Sequence, residues 1–349
     1  MKKILISLIF AAQAVFGASQ PHSVATEGKG AAPTDGYTPP IIGNGSICTS
    51  VDYLGGQTQR KYVNYFPEVV WAGRRTNLPF SSLSTMGHFE CEISVDGAPL
   101  GEPISWRQTL NTTEAYTECE VEYASATVKT VAFVPYGYDM LVVKKTVAPK
   151  SGSAKTADVK FKYKFTDKDS TYPPARTIMR QRQYEAQPNS ASLFYTIFGH
   201  KGYNGEISAT SSAPAKVSTN NTSITLESHF DLSKGGASSA YFVTYADDFN
   251  KGNREKNSAA LKKYISEKGF EGIFADHKQN WKNFWGNEFV ALPDAPMQDA
   301  YQTGLYHLRT VCTKWSFPVG LMGHGSEKLV SRKDETGVMS RSVAELRRE

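Results

Sequence analysis

The sequence predicts a mostly β protein, a large antiparallel two-sheet sandwich followed by helices. From about Gly36 to Asp248, short alternating or aromatic-rich runs succeed one another between turn residues, with no helix of ordinary length among them. After "YADD" the apolar period changes from two to that of a helix. The chain has 349 residues, 40% hydrophobic and 12% aromatic, which is ample material for a core of that size.

The first stretch, "MKKILISLIFAAQAVFGASQ", sets Lys2 and Lys3 before an apolar run from Ile4 to Phe16 and then the small residues Gly17, Ala18 and Ser19. That order is a secretory signal peptide over 1–18, with cleavage near Ala18 and export to the periplasm. The alternative, a membrane anchor, meets an apolar run too short to span a bilayer comfortably and no basic stop-transfer cluster. The net charge of +5 falls to +3 without the two lysines, and the remaining charges are scattered, so neither nucleic acid nor an anionic membrane is expected as a partner.

The sandwich is read over 36–250. Its clearest strands are "HFECEISV", "AYTECEVEYASATVKTVAFVP", "DMLVVKKTV", "DVKFKYKF", "SLFYTIFG", "SITLESHFDL" and "AYFVTYA". The Asp96–Gly97 pair after the first of these suits a tight turn, because both residues tolerate positive φ. Linker helices are read over 251–292. One runs from about Arg254 to Lys268 with Ala259, Leu261, Tyr264 and Ile265 near one face, and another starts near Gly272 with Phe274, Trp281, Phe284 and Trp285. A third helix opens at "PDAP", where Asp294 can cap and Pro296 sits in the first turn. Its stripe of Met297, Tyr301, Leu305, Leu308 and Cys312 needs a partner surface that no later helix supplies, so this helix is expected to be loosely held.

Catalytic motifs are scarce. There is no nucleophile elbow, phosphate loop, paired-histidine zinc helix or Cys-x-x-Cys. Cys48, Cys91, Cys119 and Cys312 match no metal or redox spacing, and Cys91, alternating with Phe89, Ile93 and Val95, reads as a buried strand residue. The histidines, among them His88, His200, His277 and His324, do not cluster, so no metal and no cofactor are expected. Glu90 and Glu92, and Glu118, Glu120 and Glu122, each share a strand face opposite apolar residues, which describes a solvated outer face better than an acid/base pair. Aromatic rings that could stack on sugars are Trp71, Trp106 and Trp315, the last beside the loop "SFPVGLMGHG" with His324. These four residues are the substrate-binding candidates, while Trp281 and Trp285, spaced i, i+4, read as helix packing.

The segments "PIIGNGSICTSVDYLGG", "ISWRQTLNTTEAYTECEVEY" with "VKTVAFVP", "HKQNWKNFWGNEFVALPD", and "MQDAYQTGLYHLRT" with "SFPVGL" resemble, in that order, the bacterial six-hairpin glycosidases related to glycoside hydrolase family 65. The resemblance covers most of residues 40 to 321. It implies an N-terminal β super-sandwich, linker helices and an (α/α)6 barrel that carries the active site, acting on α-linked glucosides or related glycans by hydrolysis or phosphorolysis. On that basis 293–325 is the start of the barrel, which is incomplete here, and the general-acid Glu lies beyond this chain, so no catalytic residue is assigned. The end, 326–349, is polar and lacks Trp, Phe and Tyr. It is read as a charged, disordered tail, a foreign or frame-shifted end on a truncated family member; the alternative is a natural short variant. The expected function is the sandwich region of a secreted glycoside hydrolase or phosphorylase homologue, inactive alone, with a carbohydrate partner and room for self-association through the sandwich. The rival is a non-catalytic carbohydrate-binding or structural β-sandwich module.

Overall fold

A computed structural model describes residues 22–311 apart from 33–36, 58–68, 73–82, 151, 153, 166–177, 199–201, 221, 234, 250–251 and 289. The leader, Cys312, Trp315, His324 and the tail lie outside the described residues. In chain order the strands are β1 (Ser23–Lys29), β2 (Ile41–Gly43), β3 (Ile47–Ser50), β4 (Val69–Ala72), β5 (Leu83–Val95) and β6 (Ala98–Pro99). Next come β7 (Ser105–Asn111), β8 (Tyr116–Glu122), β9 (Ala126–Phe133), β10 (Met140–Pro149), β11 (Thr156–Lys164) and β12 (Ile178–Gln187). Then follow β13 (Ser190–Phe198), β14 (Tyr203–Ser211), β15 (Lys216–Asn220), β16 (Ser223–Asp231) and β17 (Ala237–Asp247). Two helices close the described chain, α1 (Arg254–Glu288) and α2 (Ala295–Val311).

The strands form two antiparallel sheets, as the alternating pattern predicts. One runs β1-β7-β8-β9-β10-β17-β14-β13-β12 and the other β15-β16-β11-β5-β4-β3-β2, with β6 beside β5. Strict alternation in β8 and β11 turns Cys119 and Val121 from one sheet, and Val159, Phe161 and Tyr163 from the other, into a shared core. Across the core the Phe161 ring stacks on Tyr241 at 4.4 Å, and the hydroxyls of Tyr163 and Tyr245 meet at 2.8 Å. The strand β1 was not foreseen, because six of its seven residues are exposed and its sequence, "SVATEGK", has no apolar alternation. It is held by pairing with β7 and by Gly28, which lies so close over Trp106 that a side-chain carbon there would sit 2.7 Å from the indole.

The continuous apolar run at the start of β10 and along β17 has its own cause. Both faces are covered, one by the opposite sheet and the other by α1. Phe133, Met140, Val142, Ala240 and Phe242 form a second core on that outer face with Phe270 and Ile273 of the helix. The helix starts with Asn253, whose Oδ1 accepts the Lys256 amide at 2.8 Å. It breaks at Gly269, where φ is 57°, so the two halves correspond to the two helices read from the sequence. Trp281 and Trp285 are buried in the second half, as their spacing predicts.

The third predicted helix is present, and Asp294 Oδ1 caps it by accepting the Met297 amide at 2.9 Å. Its docking face differs in part from the predicted stripe. Met297 and Leu308 are each 59% exposed, while the buried face is Gln302, Tyr306 and Thr310. The Tyr306 hydroxyl donates to the Ile41 carbonyl at 2.7 Å, and the Gly45 amide donates to the Thr310 carbonyl at 2.8 Å. Burying one such ring is worth about 2–3 kcal/mol, and of the predicted apolar stripe Leu305 packs half-buried against the core while Met297 and Leu308 stay exposed. No helix among the described residues is long and apolar enough to cross a membrane.

Candidate functional site

The junction between sandwich and helices gathers a connected set of buried polar contacts. The β2–β3 turn, "GNGS", centres on Asn44, which is fully buried. Its Nδ2 donates to the carbonyls of Pro135 at 2.9 Å and Tyr138 at 2.8 Å, and its Oδ1 accepts the amides of Ser46 and Ile47, both at 2.9 Å. Gly43 beside it lies against α2, where a side-chain carbon would come within 2.7 Å of the Thr310 carbonyl. On the helical side the Arg309 guanidinium sits over Tyr136 and Phe284, each at 4.1 Å, and over Trp281 at 4.8 Å. The result is a rigid seat for α2 built from β2, β3, the β9–β10 turn and α1.

The next part of the same stretch, "VDYLGGQ", enters the space between the sheets and is held by buried polar side chains. Asp52 Oδ1 accepts the amides of Leu54 and Gly56, and Gln108 Nε2 donates to the carbonyls of Val51 and Asp52. Lys145 projects from β10 into the core, where Nζ donates to the Gly55 carbonyl and to Thr130 Oγ1, each at 2.7 Å. These bonds satisfy backbone groups that would otherwise be stranded between two sheets. This part of the first segment that carries the resemblance is therefore a structural insert in the core.

The tryptophans named as sugar-stacking candidates have a different place. Trp71 is 1% exposed, bonded through Nε1 to Ser46 Oγ at 3.2 Å and packed on Tyr245. Trp106 is 4% exposed and packed against Tyr37 and Tyr53. Neither ring presents a face to solvent, so in this conformation both are core residues. Their neighbours, too distant in sequence to be foreseen, decide this.

The carboxylates follow the solvated-face reading. Glu92 pairs with Lys160 at 3.1 Å, Glu118 with Lys129 at 2.8 Å, and Glu122 with Lys150 at 2.5 Å. Partial burial of Glu90 opposes its charge, but Lys164 at 2.5 Å and His88 at 3.2 Å outweigh that and hold it below the usual carboxylate range. Glu206 behaves likewise, with burial overcome by Lys262 at 2.6 Å and by hydrogen bonds from Ser258 and Ser208. Groups so paired are poor general acids at neutral pH. Cys48 and Cys119 are buried with thiols pushed up to about 12 by burial, and the half-buried Cys91 thiol is also raised, so none is an activated nucleophile. No metal-ligating cluster occurs among the described residues. His277 is buried against Phe133 with Nε2 on the Ala115 carbonyl at 2.9 Å, a helix-to-hairpin tie.

This architecture is similar to that of a solved structure named "Putative kojibiose phosphorylase from human microbiome", with a TM-score of 0.62 and 11% identity. The match covers 82% of this chain and 41% of that one, so the chain spans less than half of that protein's length. A bacterial glucoamylase complexed with acarbose matches at a TM-score of 0.41 and 8% identity, over 82% of this chain and 44% of that one. A family GH92 alpha-mannosidase from Bacteroides thetaiotaomicron matches at 0.35 and 9%, over 78% of this chain and 38% of that one. The first of these shows a shared fold; the other two scores are too low to add to it. No protein-family model matches the sequence, and no curated protein sequence does.

Proposed function

We propose that the chain is the sandwich and linker portion of a glycan-acting enzyme of the glycoside hydrolase or phosphorylase class, and that it does not turn over substrate alone. The observation that carries this reading is the common course with a structure named as a kojibiose phosphorylase, over 82% of this chain and 41% of that longer one. The sequence resemblance points the same way. On this reading α2 opens the helical barrel, and the segment with Trp315 and His324 remains the proposed sugar-facing one. A general-acid Glu beyond this chain would protonate the glycosidic oxygen while phosphate, or water losing its proton to a carboxylate base, attacked the anomeric carbon from the opposite face, releasing the aglycone alcohol with inversion.

Purified chain incubated with kojibiose, trehalose or maltose, with and without phosphate, is expected to release neither glucose nor glucose 1-phosphate above background. Clear turnover would place the acid within this chain and refute the proposal. Export belongs to the same reading. Mass spectrometry of the periplasmic form is expected to show a chain starting near Ser19, and an intact Met1 in mature protein would contradict it.

A further inference from the structure

The β9–β10 turn presents one ring that the fold does not need to expose. Among the described residues the exposed large apolar side chains are Val24, Ile104, Tyr138, Val290, Met297 and Leu308, and Tyr138, 36% exposed, is the aromatic one. Its backbone is fixed before any ligand arrives. Gly137 takes φ 88°, the Tyr138 amide donates to the Pro135 carbonyl at 3.3 Å, and the buried Asn44 holds both the Pro135 and Tyr138 carbonyls from beneath. The ring is fixed as well. It lies on Tyr264 of α1 with centroids 4.1 Å apart and planes 6° from parallel. Tyr264 is held in turn by its hydroxyl, which donates to Asp276 Oδ2 at 2.9 Å, and Lys268 pairs with the same oxygen at 3.2 Å.

We propose that Tyr138 is the platform of an accessory glycan-binding site, on which a pyranose ring of an oligosaccharide stacks. A ring that is already immobile loses little conformational entropy on binding, and its flat face complements the apolar face of a pyranose. Asp276 Oδ2 is engaged by the Tyr264 hydroxyl and by Lys268, so the flat ring of Tyr138 is what selects a sugar here. The sugar as ligand rests on the proposed function, whereas the platform rests on the geometry of the turn.

The test is a saturation-transfer difference NMR titration of the whole chain with kojibiose and with maltotriose. Wild type and Tyr138→Phe are expected to bind in the millimolar range. Tyr138→Ala and Tyr138→Leu are expected to weaken binding by about tenfold or more. Leucine still covers Tyr264, so a loss in that variant, with an unchanged circular dichroism melt, reports the ring face and not unfolding. Sugar bound equally by wild type and both ring-deleted variants would overturn the platform while leaving the glycan-acting reading standing. No saturation transfer from either sugar to wild type would also overturn it, and the turnover assay would then judge the broader reading separately.

Discussion

Replacing Asn44 by alanine is expected to destabilise the fold by about 3 kcal/mol, since two buried amides lose their acceptor and two carbonyls keep only one of their two donors. The carbonyls of Pro135 and Tyr138 lose a donor, and the amides of Ser46 and Ile47 lose an acceptor. The turn is too crowded to rearrange around the loss, with Gly45 at φ 82° and bonded to the Thr310 carbonyl. Aspartate keeps the shape and the acceptor but aims a carboxylate oxygen at two carbonyls, and it should be at least as damaging. Equilibrium denaturation by urea measures both. An Asn44→Ala variant within about 1 kcal/mol of wild type would mean that the β2–β3 turn is not the anchor described.

Acid is expected to weaken the fold through His277. Burial, helped by the nearby Arg309 charge, lowers this histidine to about 4 from 6.5, against the opposing bonds to the Ala115 and Glu114 backbone. Between those two values the unfolded chain binds a proton that the folded chain refuses, so stability rises with pH across that window. The full contribution is present above pH 6.5 and is lost as the pH falls toward 4, a difference of about 3 kcal/mol. His307, lowered by burial, adds in the same direction. The groups that bear on His277 are Arg309 from α2, with Glu114 and Lys278 pairing loosely nearby at 4.0 Å. Glu90 and Glu206 lose their stabilising effect only below the ordinary carboxylate range, near 4.5, so the slope above that belongs mainly to His277. In His277→Gln the amide can still donate to the Ala115 carbonyl, and the slope of stability between pH 6.5 and 5 should fall to the smaller part left by His307. A slope unchanged in that variant would assign the acid sensitivity elsewhere.

The strands were legible wherever one face meets the core and the other meets water, since period-two alternation records that difference directly; β8 and β11 show it residue by residue. The break in α1 was legible too, because a glycine interrupts two apolar patterns of different phase. What failed were features set by distant partners. The α2 stripe of Met297, Tyr301, Leu305 and Leu308 reached the core only at Leu305, and the seat on Ile41 and Gly45 selects Tyr306 and Thr310, two residues whose polar groups find partners only once the β2–β3 turn is in place. Trp71 and Trp106 stood near turns in the sequence, but the rings of Tyr245, Tyr37 and Tyr53 close over them. The polar insert around Asp52 and Lys145 was visible as a segment, without any sign that it would be buried. Of the candidate site, the sequence showed the packing tryptophans of α1 and the solvated glutamate faces of β5 and β8.

The positive φ at Gly269 also uncouples the angular phase of the two halves of α1. In a continuous helix an inserted residue turns everything on one side of it by about 100° relative to the other. Here the chain leaves helical geometry at Gly269 and re-enters it, with open space around that Cα. An extra residue between Arg254 and Lys268 would rotate only the short stretch between the insertion and one end of that half. Ile273, Trp281 and Trp285 would keep their azimuth against the sheet. Divergent relatives could therefore differ in length on the Arg254 side of the joint while conserving the tryptophan side, and the junction that seats α2 would not register the change.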